Sequence, residues 1–388
     1  MATVATLVVV VLLGIAAYLA SRYLVVNTKD SVVNQRTYLG NHRNSADIYD
    51  RPSHGQFCSP LNVTVDPMDR LMLVDIMDDP EYKSIELQIF DDARGRGARV
   101  ILYHQADIPA DFYYTSETFA GKVRPGGTSA LRDMEYHFDI TASGLDAALK
   151  MKDRRGKSVE FRIKEASRQE ASKGFLAPIG GGTAITFDAF PFFHLKGARF
   201  VPRAGTEIAV RIDGRDRTPA QVPIPVNWKF AYLCRYTTEP ILGLWNRPCD
   251  GPLAPRRPGQ QLSYQEGRTR YELVDNAGHR EIREMIGFSD KHSVSFEFSP
   301  PIPDLLGLKD GIELDGRFSA GADEVQGIVA GDYHVKRHGD AVEMEIRPRE
   351  GWQPMPGTSW VRTWIWRSTM TRGADDAVSM RAAWIRQK

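Results

Sequence analysis

Past residue 60 the chain alternates. Ser84-Ile85-Glu86-Leu87-Gln88-Ile89 sets polar and apolar side chains in turn. Met134-Glu135-Tyr136-His137-Phe138-Asp139-Ile140 and Val342-Glu343-Met344-Glu345-Ile346 do the same. A period of two marks half-buried strands of antiparallel sheet. Turn-forming groups separate the runs at strand-like spacing, among them Ser143-Gly144, Asp153-Arg154-Arg155-Gly156, Asp213-Gly214 and His338-Gly339-Asp340. Helical periodicity is confined to the start of the chain, apart from a short helix expected at 165–173. The pattern predicts an all-β protein.

The first twenty-six residues are different. No charged side chain occurs in 1–21, and Val8-Val9-Val10-Val11-Leu12-Leu13 forms its centre. About 20 apolar residues span a bilayer as a helix, with every backbone polar group paired inside it. No basic residue precedes the run, as a cleaved signal peptide would require, so it reads as a single uncleaved transmembrane helix. Arg22, Lys29, Arg36 and Arg43 follow it and none leads it. The positive-inside rule then places the bulk of the chain on the cytoplasmic side. The opposite topology would give meaning to the sequon Asn62-Val63-Thr64, which is otherwise a chance match.

The chain divides as an anchor at 1–26, a polar juxtamembrane tether at 27–60 packing on the first unit, and two β units at 61–212 and 261–388. Each unit is expected to be an antiparallel barrel or sandwich. Between them, 213–260 carries eight prolines and reads as a connector, because proline cannot donate to a ladder.

Composition narrows the function classes. Fifty Lys and Arg against 49 Asp and Glu leave a charge of +1, which disfavours a nucleic-acid binder. Three cysteines, Cys58, Cys234 and Cys249, include no C-x-x-C pair and read as free thiols. Neither a metal nor a cofactor is called for. His334 and His338 are spaced for a metal only on a helix, and Gly339-Asp340 argues for a hairpin. Gly180-Gly181-Gly182 precedes a strand pattern, so it opens no phosphate-binding helix.

Gly243-Leu244-Trp245 resembles the G-x-W that opens many lipocalin barrels, and Arg386 lies where that family keeps an Arg against the Trp. Together with two consecutive meandering units, the chain is similar to two-domain lipocalin-like (calycin) proteins. The resemblance implies a barrel holding an apolar ligand, in some members with activity on isoprenoids or other lipids.

Candidate ligand contacts follow from strand parity. Trp360, Arg362, Trp364 and Trp366 share one face of their run, where an Arg amid indoles can make cation–π contacts. His104 shares a face with apolar Val100 and Leu102, and can serve as acid–base group or polar contact. Asp188, Phe190, Phe192, Phe193 and His194 form an aromatic segment suited to a lid, with Pro191 breaking any strand there. His137 and Asp139 face solvent. Residues 150–173 hold nine basic and four acidic residues, and Arg154, Arg155 and Lys157 at the turn can meet lipid headgroups. Two functions are carried forward. One is a membrane-anchored protein binding, and in an enzymatic version transforming, a hydrophobic lipid- or isoprenoid-like ligand. The other is a non-catalytic accessory or assembly subunit of a larger membrane complex.

Overall fold

The computed structural model describes residues 44–387 except 52–54, 94, 107, 121–128, 142, 167–174, 177–188, 224, 226–228, 323–327, 354–363 and 374–376. The apolar leader, Asp188, Trp360, Arg362 and Gly180-Gly181-Gly182 lie outside the described residues, as does most of the helix expected at 165–173. Phe192 and Phe193 are described in backbone only. Among the described residues no helix is long and apolar enough to cross a membrane.

Strands dominate. The first are β1 (Val63–Asp66), β2 (Arg70–Asp75), β3 (Tyr82–Asp92), β4 (Gly95–His104), β5 (Asp111–Tyr114) and β6 (Ser129–Leu131). Next come β7 (Met134–Thr141), β8 (Gly144–Lys152), β9 (Ser158–Glu165), β10 (Phe175–Leu176), β11 (Phe190–Lys196), β12 (Arg199–Pro202), β13 (Thr206–Ile212) and β14 (Arg215–Arg217). They are followed by β15 (Ala231–Thr237), β16 (Glu239–Trp245), β17 (Cys249–Pro252), β18 (Ser263–Glu266), β19 (Thr269–Asn276) and β20 (His279–Phe288). The last are β21 (Ser293–Ile302), β22 (Glu313–Ala322), β23 (Ile328–His338), β24 (Ala341–Gln353), β25 (Trp364–Arg372) and β26 (Val378–Arg386). One helical turn, α1 (Ser45–Ile48), precedes them. All pairings are antiparallel except β5 with β6.

The strands form four sheets: β14-β13-β9-β8-β7, β12-β15-β2-β3-β4-β5-β6, β1-β16-β11-β10 and β17-β26-β25-β24-β23-β22-β21-β20-β19-β18. They stack as layers in that order. Ile85, Leu87, Val100 and Leu102 pack with Leu149, Phe161 and Ile163 of the five-stranded sheet. On the opposite face of the same strands, Leu71, Leu73 and Ile101 pack with Leu195, Leu242 and Leu244 of the four-stranded sheet. The far face of that sheet, with Val63, Phe190, Ile241 and Trp245, joins the core of the ten-stranded sheet. Each apolar face is thus covered by the next layer, so none of the four sheets closes on itself. Of the expected barrel or sandwich, the closed barrel is not formed: the protein is nearly all-β, and its sheets are open and stacked.

Three local expectations change. The proline-rich 213–260 is not mere connector: it contributes β14, β15, β16 and β17. Pro240 fits inside β16 because β1, the partner on one side, reaches only to Leu242. Pro191 does not break β11 either: it lies opposite Leu244 of β16, and the described part of β10 pairs with His194 and Leu195. The described part of the tether docks on the second unit rather than the first. Tyr49 bridges to Leu308, Phe57 bridges to Arg256, and Ile48, Tyr49, Phe57 and Cys58 belong to the core of the ten-stranded sheet.

Candidate functional site

The ring of Trp245 sits where two layers meet. Its neighbours come from three directions: Phe296 at 4.4 Å and Phe318 at 4.9 Å from the ten-stranded sheet, Trp384 at 5.7 Å from the last strand, and Phe190 at 6.4 Å from its own sheet. Trp366 lies 5.6 Å from Trp384, and Phe190 4.9 Å from it. Trp245, Trp366 and Phe296 are fully shielded from solvent, and Trp364 nearly so. The structure therefore unites three of the expected ligand contacts, Phe190, Trp364 and Trp366, in one core. In this core Phe190, Trp245, Trp366 and Trp384 pack ring against ring. The Trp366 indole N–H meets no acceptor there. His194 is buried on the same face of β11 as Phe190. Arg386, which the lipocalin resemblance sets against Trp245, is exposed, and Trp384 takes that place.

His104 belongs to a second site, at the end of the first two layers where β4 stops. It is buried, with Nε2 3.4 Å from Asp111 and its ring 5.2 Å from Tyr82. Tyr82 donates to Asp153 at 2.7 Å, and burial followed by that carboxylate pushes its phenol pKa upward. The turn between β8 and β9 closes over this group. Arg154 lies 3.7 Å from Asp111, Lys157 lies 3.1 Å from Glu81, and Arg155 pairs with Glu81 and Asp153. Two expectations made separately, the His104 contact and the basic turn, converge on one structure. His137 pairs with Asp146 at 2.8 Å at the half-exposed surface of β7 and β8.

A third group, which the alternation pattern hid, runs between the central layers. Tyr103 donates to Glu86 at 2.8 Å, Gln88 donates to Glu86 at 2.6 Å, and Arg99 reaches Asp66 at 2.5 Å. Arg99 also lies 4.2 Å over the Phe90 ring and donates to the Phe119 carbonyl. Glu86 is fully buried. Desolvation raises its pKa to about 7, against the lowering effect of Gln88 and Tyr103. Sequence placed Ser84, Glu86 and Gln88 on a solvent face. The four-stranded sheet covers that face instead.

The fourth group closes the second unit. His279 Nδ1 lies 2.8 Å from Asp304, and its ring stacks on Tyr49 at 3.7 Å. Tyr49 donates to Glu281 at 2.7 Å and accepts from the Asp304 amide at 3.0 Å. A Cβ at Gly307 would sit 2.7 Å from the imidazole, so only glycine admits the ring. A His oriented by Asp is an acid–base pair in principle. Here it is sealed beneath the docked tether and acts as a clamp. His334 is held by Asp315 at 2.9 Å and Glu313 at 3.1 Å, and His334 and His338 both lie on β23, His338 at the hairpin end beside Gly339. Among the described residues no cluster of three or more His, Cys, Asp or Glu is placed to hold a metal. Beyond these groups, two open grooves of about 720 and 520 Å³ lie over the polar outer faces of the ten- and five-stranded sheets.

No family model, no curated protein and no solved structure matches this chain.

Proposed function

We propose that the chain is a membrane-tethered, non-catalytic accessory or assembly subunit, a rigid stack of β layers held to a bilayer by its apolar leader. The observation that carries this reading is the filled core around Trp245. Aromatic side chains from four strands occupy the interior that a carrier would leave hollow. Carriers and enzymes of small apolar molecules use cavities of about 300–1,000 Å³ that enclose most of the ligand. The acid–base groups support the same reading, since His104 and His279 are both buried against carboxylates and capped by other chain segments.

A carried lipid- or isoprenoid-like ligand is the second reading. It is favoured by the Trp366 N–H, a buried donor that a ligand oxygen could satisfy. One experiment separates the two. The full chain is extracted in mild detergent, weighed by native mass spectrometry, and its organic extract analysed for lipophilic molecules. A protein partner in fixed stoichiometry with no enriched small molecule is expected. A stoichiometric lipophile with no partner overturns the proposal.

A further inference from the structure

Six large apolar side chains are exposed among the described residues, and three of them crowd one end of the first two layers: Met77 at 63%, Phe230 at 56% and Ile108 at 45%. The topology brings them there. β2 ends at Asp75 and β15, antiparallel to it, begins at Ala231, so Met77 and Phe230 flank the same rim. The Met77 amide bonds Thr218, and the Phe230 carbonyl accepts from the Arg203 amide. Ile108 lies in the loop from β4 to β5. That loop is joined to the rim through Gln105, whose amide bonds Glu81. The turn between β8 and β9 reaches the rim through Tyr82 and Asp153.

Charge is layered at this end. Asp79, Asp111 and Asp153 lie underneath, each under 5% exposed. Arg154 and Arg155 stand outside, at 42% and 44% side-chain exposure, with Lys157 beside them at 38%. Lys229 and Arg203 are exposed next to Phe230. Glu81, at 20% side-chain exposure, pairs with Arg155 and Lys157, and exposed Asp78, Asp213 and Asp216 balance more of this charge. Net charge therefore cannot supply the affinity. Apolar tips must supply it, with guanidinium and ammonium groups placed to meet headgroup phosphates.

We propose that this end is a membrane-contacting tip, with Met77, Ile108 and Phe230 entering the interface of a phospholipid bilayer and Arg154, Arg155 and Lys157 resting on its phosphates. The inference rests on the reading that the apolar leader is membrane-held. Residues 27–43 separate that leader from Asn44. Seventeen residues reach at most about 60 Å when extended, so the leader does not by itself fix which end of the body faces the bilayer. Single apolar side chains on loop ends, fringed by long cationic ones, suit the interface, where the apolar part is buried and the charge stays wet.

The test uses the full chain in a Cys249→Ser background, reconstituted in phosphatidylcholine/phosphatidylserine vesicles. An environment-sensitive NBD label is attached through Ile108→Cys, Phe230→Cys or, as control, Ser143→Cys at the opposite end of β8. Emission at 108 and 230 is expected to shift to the blue, gain several-fold in intensity and be quenched by nitroxide-bearing lipids, with position 143 unchanged. If the chain floats with vesicles but the labels at 108 and 230 do not shift, the tip is overturned and the tether stands. If the chain does not float, both fall. A shift in native membranes but not in pure lipid vesicles assigns the tip to a protein partner and overturns the lipid proposal.

Discussion

The indole N–H of Trp384 is shared between the backbone carbonyls of Asn246, at 2.8 Å, and Trp245, at 3.2 Å. Asn246 is fully buried with φ 52°, a left-handed conformation that Asn accepts better than other residues bearing a side chain. Its amide donates to the Asn62 carbonyl at 2.8 Å, and its Oδ1 accepts from the Asn62 amide at 3.0 Å. One residue thus joins the end of β16, the entry to β1 and the last strand. Trp384→Phe keeps most of the ring contacts and removes a donor shared by two buried carbonyls. It is expected to cost about 1–3 kcal/mol, read from the midpoint of urea unfolding at unchanged slope.

Glu86 makes stability depend on pH near neutrality. Its folded pKa of about 7 stands above the ordinary carboxylate value, so the native state holds a proton that the unfolded chain has released. The stabilisation is complete below about pH 4.3 and is lost as pH rises through 7. A rise of roughly 2.5 units corresponds to about 3 kcal/mol. Glu86→Gln keeps an acceptor for Tyr103 and removes the titration. Subtracting the variant's stability–pH profile from that of the wild type should give a curve falling between pH 5 and 8. A flat difference rejects this assignment.

Much of the fold was readable in the sequence because alternation reports directly on half-buried strands. What it could not report is the number of layers. Val100 and Leu102 were placed inward correctly, but Arg99, Ile101 and Tyr103 on the other face are equally buried, since β4 is covered on both sides. The same doubling hid Glu86. Proline misled where it was counted without its partners. Pro240 sits just beyond the end of β1, and Pro191 lies opposite Leu244 in the β11–β16 ladder, facts of register rather than of composition. Trp366 and Phe190 stand out in aromatic runs, yet their contact is made through Trp384, which no motif marks. His279 and Asp304 lie 25 residues apart, and their meeting depends on a loop that sequence does not shape.

The tether is clamped by Tyr49. Burial and the Glu281 carboxylate push its phenol pKa far above the ordinary value, so it remains a donor to Glu281 while accepting from the Asp304 amide. Tyr49→Phe preserves the stack on His279 but leaves a buried carboxylate one donor short, at a cost of about 1–3 kcal/mol. Local opening should follow that loss. Chymotrypsin is expected to cleave after Phe57, buried in the docked tether, several-fold faster in the variant, with the β layers still intact by far-UV circular dichroism. Equal cleavage rates reject the clamp.

The cysteines should differ in reactivity. Cys58 and Cys234 are buried, and desolvation raises both thiols, that of Cys58 to about 12. Cys249 is half-buried at the start of β17. Only the thiolate reacts, so iodoacetamide at pH 8 is expected to modify Cys249 alone in the native chain. All three should react after unfolding, as peptide mass mapping would read.

Two layers meet through matched notches. A Cβ on Gly243 of β16 would lie 2.9 Å from the Val294 side chain, and one on Gly287 of β20 would lie 2.9 Å from Val63. Each glycine faces a valine of the opposite sheet, and the missing side chains set how closely the sheets approach. Gly243→Ala should therefore overpack the junction, costing about 1–3 kcal/mol, while Val294→Ala alone opens space and costs a similar amount. Combined, the added methyl occupies the vacated volume, so the double variant should be more stable than the sum of the two losses predicts. A coupling of at least about 0.5 kcal/mol is expected from urea unfolding of all four species. Strict additivity would mean that the two residues do not touch and that the layers are spaced by something else.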